Sequence, residues 1–295
     1  MDRRAFVAAI GSLPVVAFGV RLNAMYDEKK ELALVVMDPL AAPLACDCVK
    51  GYAQRKYEVL GKYLEHQIGY KVNVFWAGAL NTALEESKNQ ADIVIGKHSV
   101  VVADSKAASL AMIPVAELTG RDGKTSQSGL IVVRKDDPAK KLEDLQGYQI
   151  LFGTEECDEK HAAPKKLFAD NKLLISEKEE CFGACSEAAT ALMEMDATAK
   201  GAAVISSYAK PLLEGCGTIQ KGDLRIVAET EEVRFVTAFV NASLDKALSE
   251  KVTAALINLK TEPTLILALE TRDGFIAFRD LTLPATDQPA AEKKN

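Results

Sequence analysis

The chain has 295 residues, of which 48% are hydrophobic and 26% are charged, so it can bury a sizeable core and is long enough for two lobes. Lys and Arg total 36 against 42 Asp and Glu, which gives a net charge of −6 without a concentrated basic patch and argues against a nucleic-acid partner. No internal apolar stretch reaches the length of a membrane span.

Residues 1–24 are predicted to be an export signal. Arg3 and Arg4 precede an apolar run over residues 8–20, and residues 22–24 offer a small-residue cleavage site. A positive flank followed by a short apolar run is typical of a secretory signal, and paired arginines before x-Phe-Val resemble the twin-arginine variant. We therefore expect a periplasmic protein with no stable membrane span after cleavage. An uncleaved membrane anchor is the alternative.

The first region of the mature chain alternates short apolar runs with amphipathic segments, a pattern of strands and helices. Its predicted elements are, in order, a strand over 31–37, a helix over 52–68, a strand over 71–76, a helix over 80–88 and a strand over 91–96. This β-α-β-α-β order predicts a doubly wound lobe with a parallel sheet.

A polar segment over residues 119–126 is followed by a second α/β region. Its predicted elements are strands over 128–135, 149–152, 202–205 and 224–228, a short turn over 142–145, and helices around 164–168 and over 187–195. Residues 232–240 are predicted to return to the first lobe, before a helix over 244–259. The expected fold is an α/β clamshell of two lobes with mixed sheets. Its predicted parts are lobe 1 over 27–118 plus 235–283, lobe 2 over 127–230, and a disordered tail over 284–295.

Thiols are concentrated at predicted strand-to-helix turns. Five of the six cysteines lie at three such turns, namely Cys46, Cys48, Cys157, Cys181 and Cys185, whereas Cys216 lies away from any predicted strand end. Strand ends of an open α/β sheet converge on one crevice, so three cysteine-bearing turns far apart in sequence are expected to face one ligand. In an oxidising compartment an even number of cysteines also suggests disulfides, and a pair between Cys181 and Cys185, or one that involves Cys216, remains possible.

Four segments together resemble one protein family. They are the strand at Ser128–Asp136, the turn at Lys141–Gly147, the strand end at Phe152-Gly153 and the helix start at Gly183–Ala189. In this order and spacing, residues 30–280 resemble the type II periplasmic solute-binding proteins of the phosphate/phosphite/phosphonate-binding (PhnD-like) branch. The resemblance implies a clamshell fold, a ligand in the interdomain cleft, an ABC permease as partner and a non-enzymatic role.

The chain departs from that family at the ligand site. The resemblance implies a phosphorus group held on a Ser-Thr-Ser helix start, where free N–H groups suit an anion. Here Cys157, Asp158 and Glu159 occupy those positions, and Cys185 replaces a family histidine. Carboxylates beside a desolvated anion would repel it. The main hypothesis is therefore a copper or zinc ion, or a metal complex, as ligand, and oxyanion binding is the alternative.

The predicted site gathers thiol, imidazole and carboxylate donors from several turns. The predicted metal ligands are Cys46, Cys48, His98, Cys157, Asp158, His161 and Cys185. The predicted ligand-binding residues further include Lys97, Thr154 and Ser186. Apart from this possible metal, no cofactor is expected.

Three function classes remain at this stage. The preferred one is a solute receptor that closes on a ligand and docks on a permease. The second is a redox protein that uses Cys46 and Cys48 as a reactive pair, and the third is a subunit of a sensor or redox complex. The sequence lacks Gly-x-Gly-x-x-Gly, Walker, Gly-x-Ser-x-Gly and His-Glu-x-x-His motifs, which argues against the commonest nucleotide-binding and hydrolase activities.

Overall fold

The computed structural model of this chain describes residues 31–45, 54–176 and 179–280. All of them belong to one unit that begins at Glu31. The predicted export signal, Cys46, Cys48 and the predicted tail over 284–295 lie outside these residues. Within the described ranges, no helix combines the length and apolarity that a membrane crossing requires.

The described chain alternates strands and helices along most of its length. Its strands are β1 (Glu31–Met37), β2 (Lys71–Trp76), β3 (Ile93–Lys97), β4 (Met112–Leu118), β5 (Ser126–Gln127), β6 (Gly129–Arg134), β7 (Gln149–Gly153), β8 (Glu180–Phe182), β9 (Gly201–Ser206), β10 (Leu224–Glu229), β11 (Val233–Arg234), β12 (Val236–Asn241) and β13 (Phe275–Ala277). Its α-helices are α1 (Tyr57–Ile68), α2 (Leu80–Glu86), α3 (His98–Ala107), α4 (Ala162–Asp170), α5 (Cys185–Glu194), α6 (Ala209–Gly215), α7 (Lys246–Asn258) and α8 (Pro263–Ala268). Two short 3-10 turns lie at Leu142–Leu145 and Leu259–Thr261.

The first sheet has six strands in the order β13-β4-β12-β3-β1-β2. Strand β1 pairs in parallel with β2 and β3, whereas β12 lies antiparallel between β3 and β4. Alternate side chains of β1 enter different cores: Val36 packs in the cluster of α1 and α7, and Val35 in the cluster of α2. The strand reads as one apolar run because helices cover both of its faces.

The second sheet has five strands in the order β10-β6-β9-β7-β8. Strand β7 is parallel to β8 and β9, and β6 is antiparallel to β9 and β10. Helix α4 contributes Phe168 to the core on one face, and α5 contributes Leu192 to the core on the other. Strand β7 ends at Gly153, which places the turn over residues 154–161 at the carboxyl edge of this sheet.

The chain crosses between the two sheets twice. The first crossing contains β5 and the second contains β11, and these two strands pair antiparallel. The predicted α/β architecture of two mixed sheets is therefore confirmed. The parallel pairing expected for the first β-α-β-α-β segment is confirmed for β1, β2 and β3, and β12 adds an antiparallel strand where the chain returns from the second crossing.

Candidate functional site

A buried ion pair connects the first sheet to the second. Lys97 is the last residue of β3, and Glu159 lies in the turn after β7. The Lys97 Nζ atom donates to Glu159 Oε1, and their side chains are only 9% and 1% exposed. Ser206 Oγ, at the end of β9, donates to the same carboxylate oxygen at 2.7 Å. One carboxylate therefore accepts hydrogen bonds from both sheets.

Both partners of this pair are charged at neutral pH. Burial on its own would lower the pKa of Lys97, but the Glu159 carboxylate outweighs burial and raises that pKa well above its usual range. Burial would likewise raise the pKa of Glu159, yet the charge and hydrogen bond of Lys97, with a hydrogen bond from Ser206, lower it to about 2. The pair therefore stays ionised although it is removed from water.

The thiol of Cys157 belongs to this network. Its Sγ atom donates to Glu159 Oε2 at 3.2 Å and accepts from Lys97 Nζ at 3.0 Å. Burial raises the pKa of the Cys157 thiol to about 11, and the nearby Glu159 charge adds to the effect. Metal ligation requires the thiolate, so a metal ion at Cys157 would have to displace this proton as well as the hydrogen bonds to Glu159 and Lys97.

Cys185 lies on the other side of Ser206. The Ser206 backbone N–H donates to Cys185 Sγ at 3.4 Å, and Cys185 is the first residue of α5. Cys185 thus contacts Ser206 directly, whereas Cys157 is connected to the same serine through the Glu159 carboxylate. Cys157, Cys181, Cys185 and Cys216 are all free thiols, so the pair considered between Cys181 and Cys185 is absent.

A cavity of about 190 Å³ lies next to the ion pair and between the two sheets. We refer to it as the cleft cavity. The residues that line it include Leu40, Lys97, Lys160, Ala184, Cys185 and Tyr208. At ~30 Å³ per water molecule, it has room for a tetrahedral oxyanion with a small substituent. Within the described part of the chain, no carboxylate lines it.

Lys160 supplies a second buried ammonium group to the cleft cavity. The residue is 4% exposed, and its Nζ atom donates to the carbonyl oxygen of Gly183 at 3.0 Å. Its aliphatic stem lies against Gly153, where an added Cβ would collide with the Lys160 side chain. Gly153 therefore leaves the space that lets Lys160 reach the cavity.

The first turn of α5 borders the same cavity. Gly183, Ala184 and Cys185 line it, so the helix presents its positive N-terminal end there. The carboxylate of Glu187 caps this end by accepting from the Ala184 N–H at 3.1 Å, and Glu187 itself is exposed. Two ammonium groups and a helix N-terminus make the cleft cavity an anion-binding environment.

A larger cavity of about 490 Å³ lies near the crossing strands. Arg55, Arg121 and Lys124 border it, but four carboxylates do so as well, those of Asp122, Glu229, Glu232 and Glu270. Because several carboxylates face this space, it suits an anion less well than the cleft cavity does.

The structure places His98 in an aromatic cluster. Its ring stacks on Phe278 with 5.8 Å between ring centroids, and its Nδ1 atom lies 3.1 Å from Thr237 Oγ1. Burial, with a contribution from the Arg234 charge, lowers the pKa of His98 to about 4. These contacts fix the ring against β12, and within the described ranges no hydrogen bond or ring contact joins it to Cys157, Cys181, Cys185 or Cys216.

The predicted ligand-binding residues Asp158, Thr154 and Ser186 have surroundings that differ from those of Cys157. The backbone N–H of Asp158 donates to Ser99 Oγ at 3.2 Å, and its side chain lines a separate cavity with Lys166. Thr154 accepts from the Cys157 N–H at 3.0 Å through its carbonyl oxygen. Ser186 is half-buried in the first turn of α5.

His161 turns away from Cys157. Its ring packs edge-on against Phe152, and its Nε2 atom lies 3.8 Å from a Glu179 oxygen. Among the described residues, the group of three side chains able to hold a metal is His161, Glu179 and Cys181, with ligand atoms within 4.8 Å of one another. The expected metal ligands are thus not gathered around one point there, because the turn points Cys157 and His161 in different directions.

Three residues of the site are absent from the sequence-based set: Glu159, Lys160 and Ser206. Glu159 falls at a position that the family resemblance marked, but its charge suggested repulsion of a ligand rather than a partner for Lys97. The only sequence signal for the burial of Lys160 is Gly153 at the end of β7, because a glycine there leaves room for a neighbouring side chain. Ser206 had no signal beyond its place at a strand end.

A family model described as the periplasmic substrate-binding protein of a phosphonate ABC transporter matches residues 51–283 of this chain. No curated protein sequence matches the chain. The chain is similar in structure to XAC2383 from Xanthomonas citri bound to ATP, with a TM-score of 0.65 and 16% identity over 86% of this chain and 92% of that one.

Two further structures share the fold. A binding protein component of an ABC phosphonate transporter, PA3383 from Pseudomonas aeruginosa, has a TM-score of 0.62 and 13% identity, over 85% of this chain and 82% of that one. PhnD1 from Prochlorococcus marinus in complex with methylphosphonate has a TM-score of 0.63 and 14% identity, over 85% of this chain and 93% of that one. This chain therefore belongs to the family of periplasmic substrate-binding proteins of phosphonate ABC transporters.

Proposed function

We propose that this protein is the exported solute receptor of an ABC importer and binds a small phosphonate- or phosphate-type oxyanion in the cleft cavity. The proposed lobes are residues 27–118 plus 235–283 and residues 127–230. The observation that carries the proposal is the buried ammonium group of Lys160 beside the N-terminus of α5, in a cavity that Lys97 also lines and that no described carboxylate lines.

The family supports the oxyanion as ligand class. The matching family model is described by phosphonate transport, and PhnD1 of Prochlorococcus marinus is described in complex with methylphosphonate. A receptor of this class has a membrane permease as partner, which we propose here too. Export through a twin-arginine signal also stays a proposal, because residues 1–24 lie outside the described residues.

The copper or zinc hypothesis has less support. The Cys157 thiol has a pKa of about 11, so it stays protonated at neutral pH. Its hydrogen-bonding capacity is used by Glu159 and Lys97. His98 is occupied by ring stacking and by Thr237. A metal would have to displace these contacts before it could use either donor.

The geometry suggests how binding is coupled to closure. An oxyanion in the cleft cavity can accept hydrogen bonds from Lys160 Nζ and from the N–H groups at the start of α5. Lys97 and Glu159 come from different sheets, so their ion pair forms only when the two sides meet. A ligand that bridges the two sides shifts the open-to-closed equilibrium by its higher affinity for the closed form.

Isothermal titration calorimetry tests this proposal with methylphosphonate, phosphate, Zn²⁺ and Cu(I) on the reduced protein. We expect binding of at least one oxyanion and at least a tenfold loss, about 1.4 kcal/mol, in Lys160→Gln. Lys246→Gln is the matched control, because that side chain is 91% exposed on α7. Tight Zn²⁺ or Cu(I) binding without a response to any oxyanion would overturn the proposal.

A further inference from the structure

The carboxylate of Glu159 occupies the place on Lys97 that a ligand anion would otherwise take. It accepts from Lys97 Nζ, from Ser206 Oγ at 2.7 Å and from Cys157 Sγ at 3.2 Å. These donors come from β3, β9 and the turn after β7. Three converging donors around two oxygens resemble the environment that proteins build for a bound anion.

The charge that remains in the buried site is small. Lys97 and Glu159 cancel each other, and the neutral thiol of Cys157 adds nothing. Lys160 donates to a neutral carbonyl oxygen, that of Gly183, and has no salt-bridge partner within 4.0 Å among the described residues. The buried groups that line the cleft cavity, counted together with the Glu159 carboxylate bound to Lys97 behind that lining, therefore carry one net positive charge.

The remaining groups at the cavity do not change this count. Cys185 accepts from the Ser206 N–H, and burial raises the pKa of Tyr208, which therefore stays a neutral phenol. The carboxylate of Glu187 faces the start of α5 from the exposed side, where water screens it. Its negative charge partly offsets the positive end of the α5 dipole, so it adds no positive charge to the cavity.

We infer that Glu159 restricts this receptor to singly charged oxyanions, such as a phosphonate monoester, and discriminates against dianions. This inference rests on the proposed function. The single charge of a monoanion is balanced by the Lys160 ammonium group. The second charge of a dianion would have no cation to balance it and would lie, removed from water, close to the Glu159 carboxylate. Like charges in such a site repel strongly because little water screens them.

The test compares methylphosphonate with its O-methyl monoester at mildly alkaline pH, where the first is a dianion and the second a monoanion. In the unmodified protein we expect the monoester to bind at least tenfold more tightly. Glu159→Gln keeps an acceptor for Lys97 and Ser206 but removes the negative charge that balances Lys97. In this variant we expect the dissociation constant of the dianion, divided by that of the monoester, to fall at least tenfold. Comparing ratios cancels the difference in ligand size.

Glu250→Gln is the matched control, since this carboxylate is 69% exposed on α7, and its ratio should equal that of the unmodified protein. Circular dichroism checks that each variant is folded, and the ratio in the unmodified protein tests the inference even if Glu159→Gln does not fold. Equal or tighter binding of the dianion by the unmodified protein, or an unchanged ratio in folded Glu159→Gln, would overturn the inference alone. Absence of binding for both ligands in every variant would instead refute the proposed function.

Discussion

Replacement of Lys97 by Met tests whether the buried ion pair holds the two sheets together. Methionine fills a similar volume with an unbranched chain but leaves the Glu159 carboxylate without its cation. The carboxylate keeps Ser206 and Cys157 as hydrogen-bond donors, yet it remains almost fully buried. An unpaired buried charge is among the most destabilising changes a core can suffer.

The expected loss can be estimated in two ways. Removal of one partner of a buried ion pair typically costs about 3–5 kcal/mol in the free energy of unfolding. The pKa of Glu159 falls from 4.5 to about 2 in the folded protein. At ~1.4 kcal/mol for each tenfold change in proton affinity, that fall corresponds to about 3–4 kcal/mol, of which Lys97 supplies the largest part and Ser206 a smaller one. We therefore expect Lys97→Met to lose about 3 kcal/mol at neutral pH.

The pH dependence gives a second, independent signature. In the unmodified protein the folded pKa of Glu159 lies below its unfolded value, so its stabilisation is complete above about pH 4.5 and is lost as the pH falls toward about 2. In Lys97→Met, burial becomes the main influence and raises the folded pKa above the unfolded value. Protonation of Glu159 then relieves the variant as the pH falls, so the gap between the two proteins should narrow near roughly pH 4.

Urea denaturation followed by circular dichroism measures both effects. The double variant Lys97→Met/Glu159→Gln serves as the control, because it removes both charges and should be more stable than Lys97→Met alone at neutral pH. Two results would refute the assignment of a buried, ionised pair. One is a loss below about 1 kcal/mol in the free energy of unfolding of Lys97→Met at neutral pH, and the other is a loss of equal size at neutral pH and at roughly pH 4.

Two further predictions concern the same turn. Gly129→Ala should lower the thermal unfolding midpoint by several degrees because the added Cβ would run into the carbonyl oxygen of Glu159, whereas Gly78→Ala meets open space and should leave the midpoint nearly unchanged. Similar midpoints would show that the backbone yields at this contact. Iodoacetamide should label the exposed Cys216 in the native protein. The buried Cys157, with a pKa of about 11, should react only after unfolding. Peptide mass mapping that finds Cys157 modified in the native protein would contradict its burial.

The sequence by itself determined where the central strands lie. Strand β1 spans the predicted residues 31–37, because a short apolar run that ends in Asp-Pro is typical of a strand with both faces covered. The turn at residues 142–145 and the strand starting at residue 149 were also placed correctly. Local patterns sufficed for these elements because each has a strong, short-range hydrophobic signal.

Other elements had no such signal. Helix α3 was not predicted, since only Val101 and Ser105 are buried along it and no apolar stripe marks it. The edge strand β8 has three residues, and no residue of it is fully buried. The antiparallel position of β12 depends on how the chain returns from the second crossing, which no local pattern records.

At the site, the sequence identified the segment but not its chemistry. Residues 154–161 and the start of α5 were singled out because both follow strands, and β7 and β8, the strands that precede them, lie parallel and adjacent. Whether Cys157 is a metal ligand or a neutral thiol depends on Lys97, which is 60 residues away in the chain, and on burial of Glu159. Protonation follows the charges and the water exclusion around a group, and only the tertiary structure brings Lys97, Glu159 and Ser206 together.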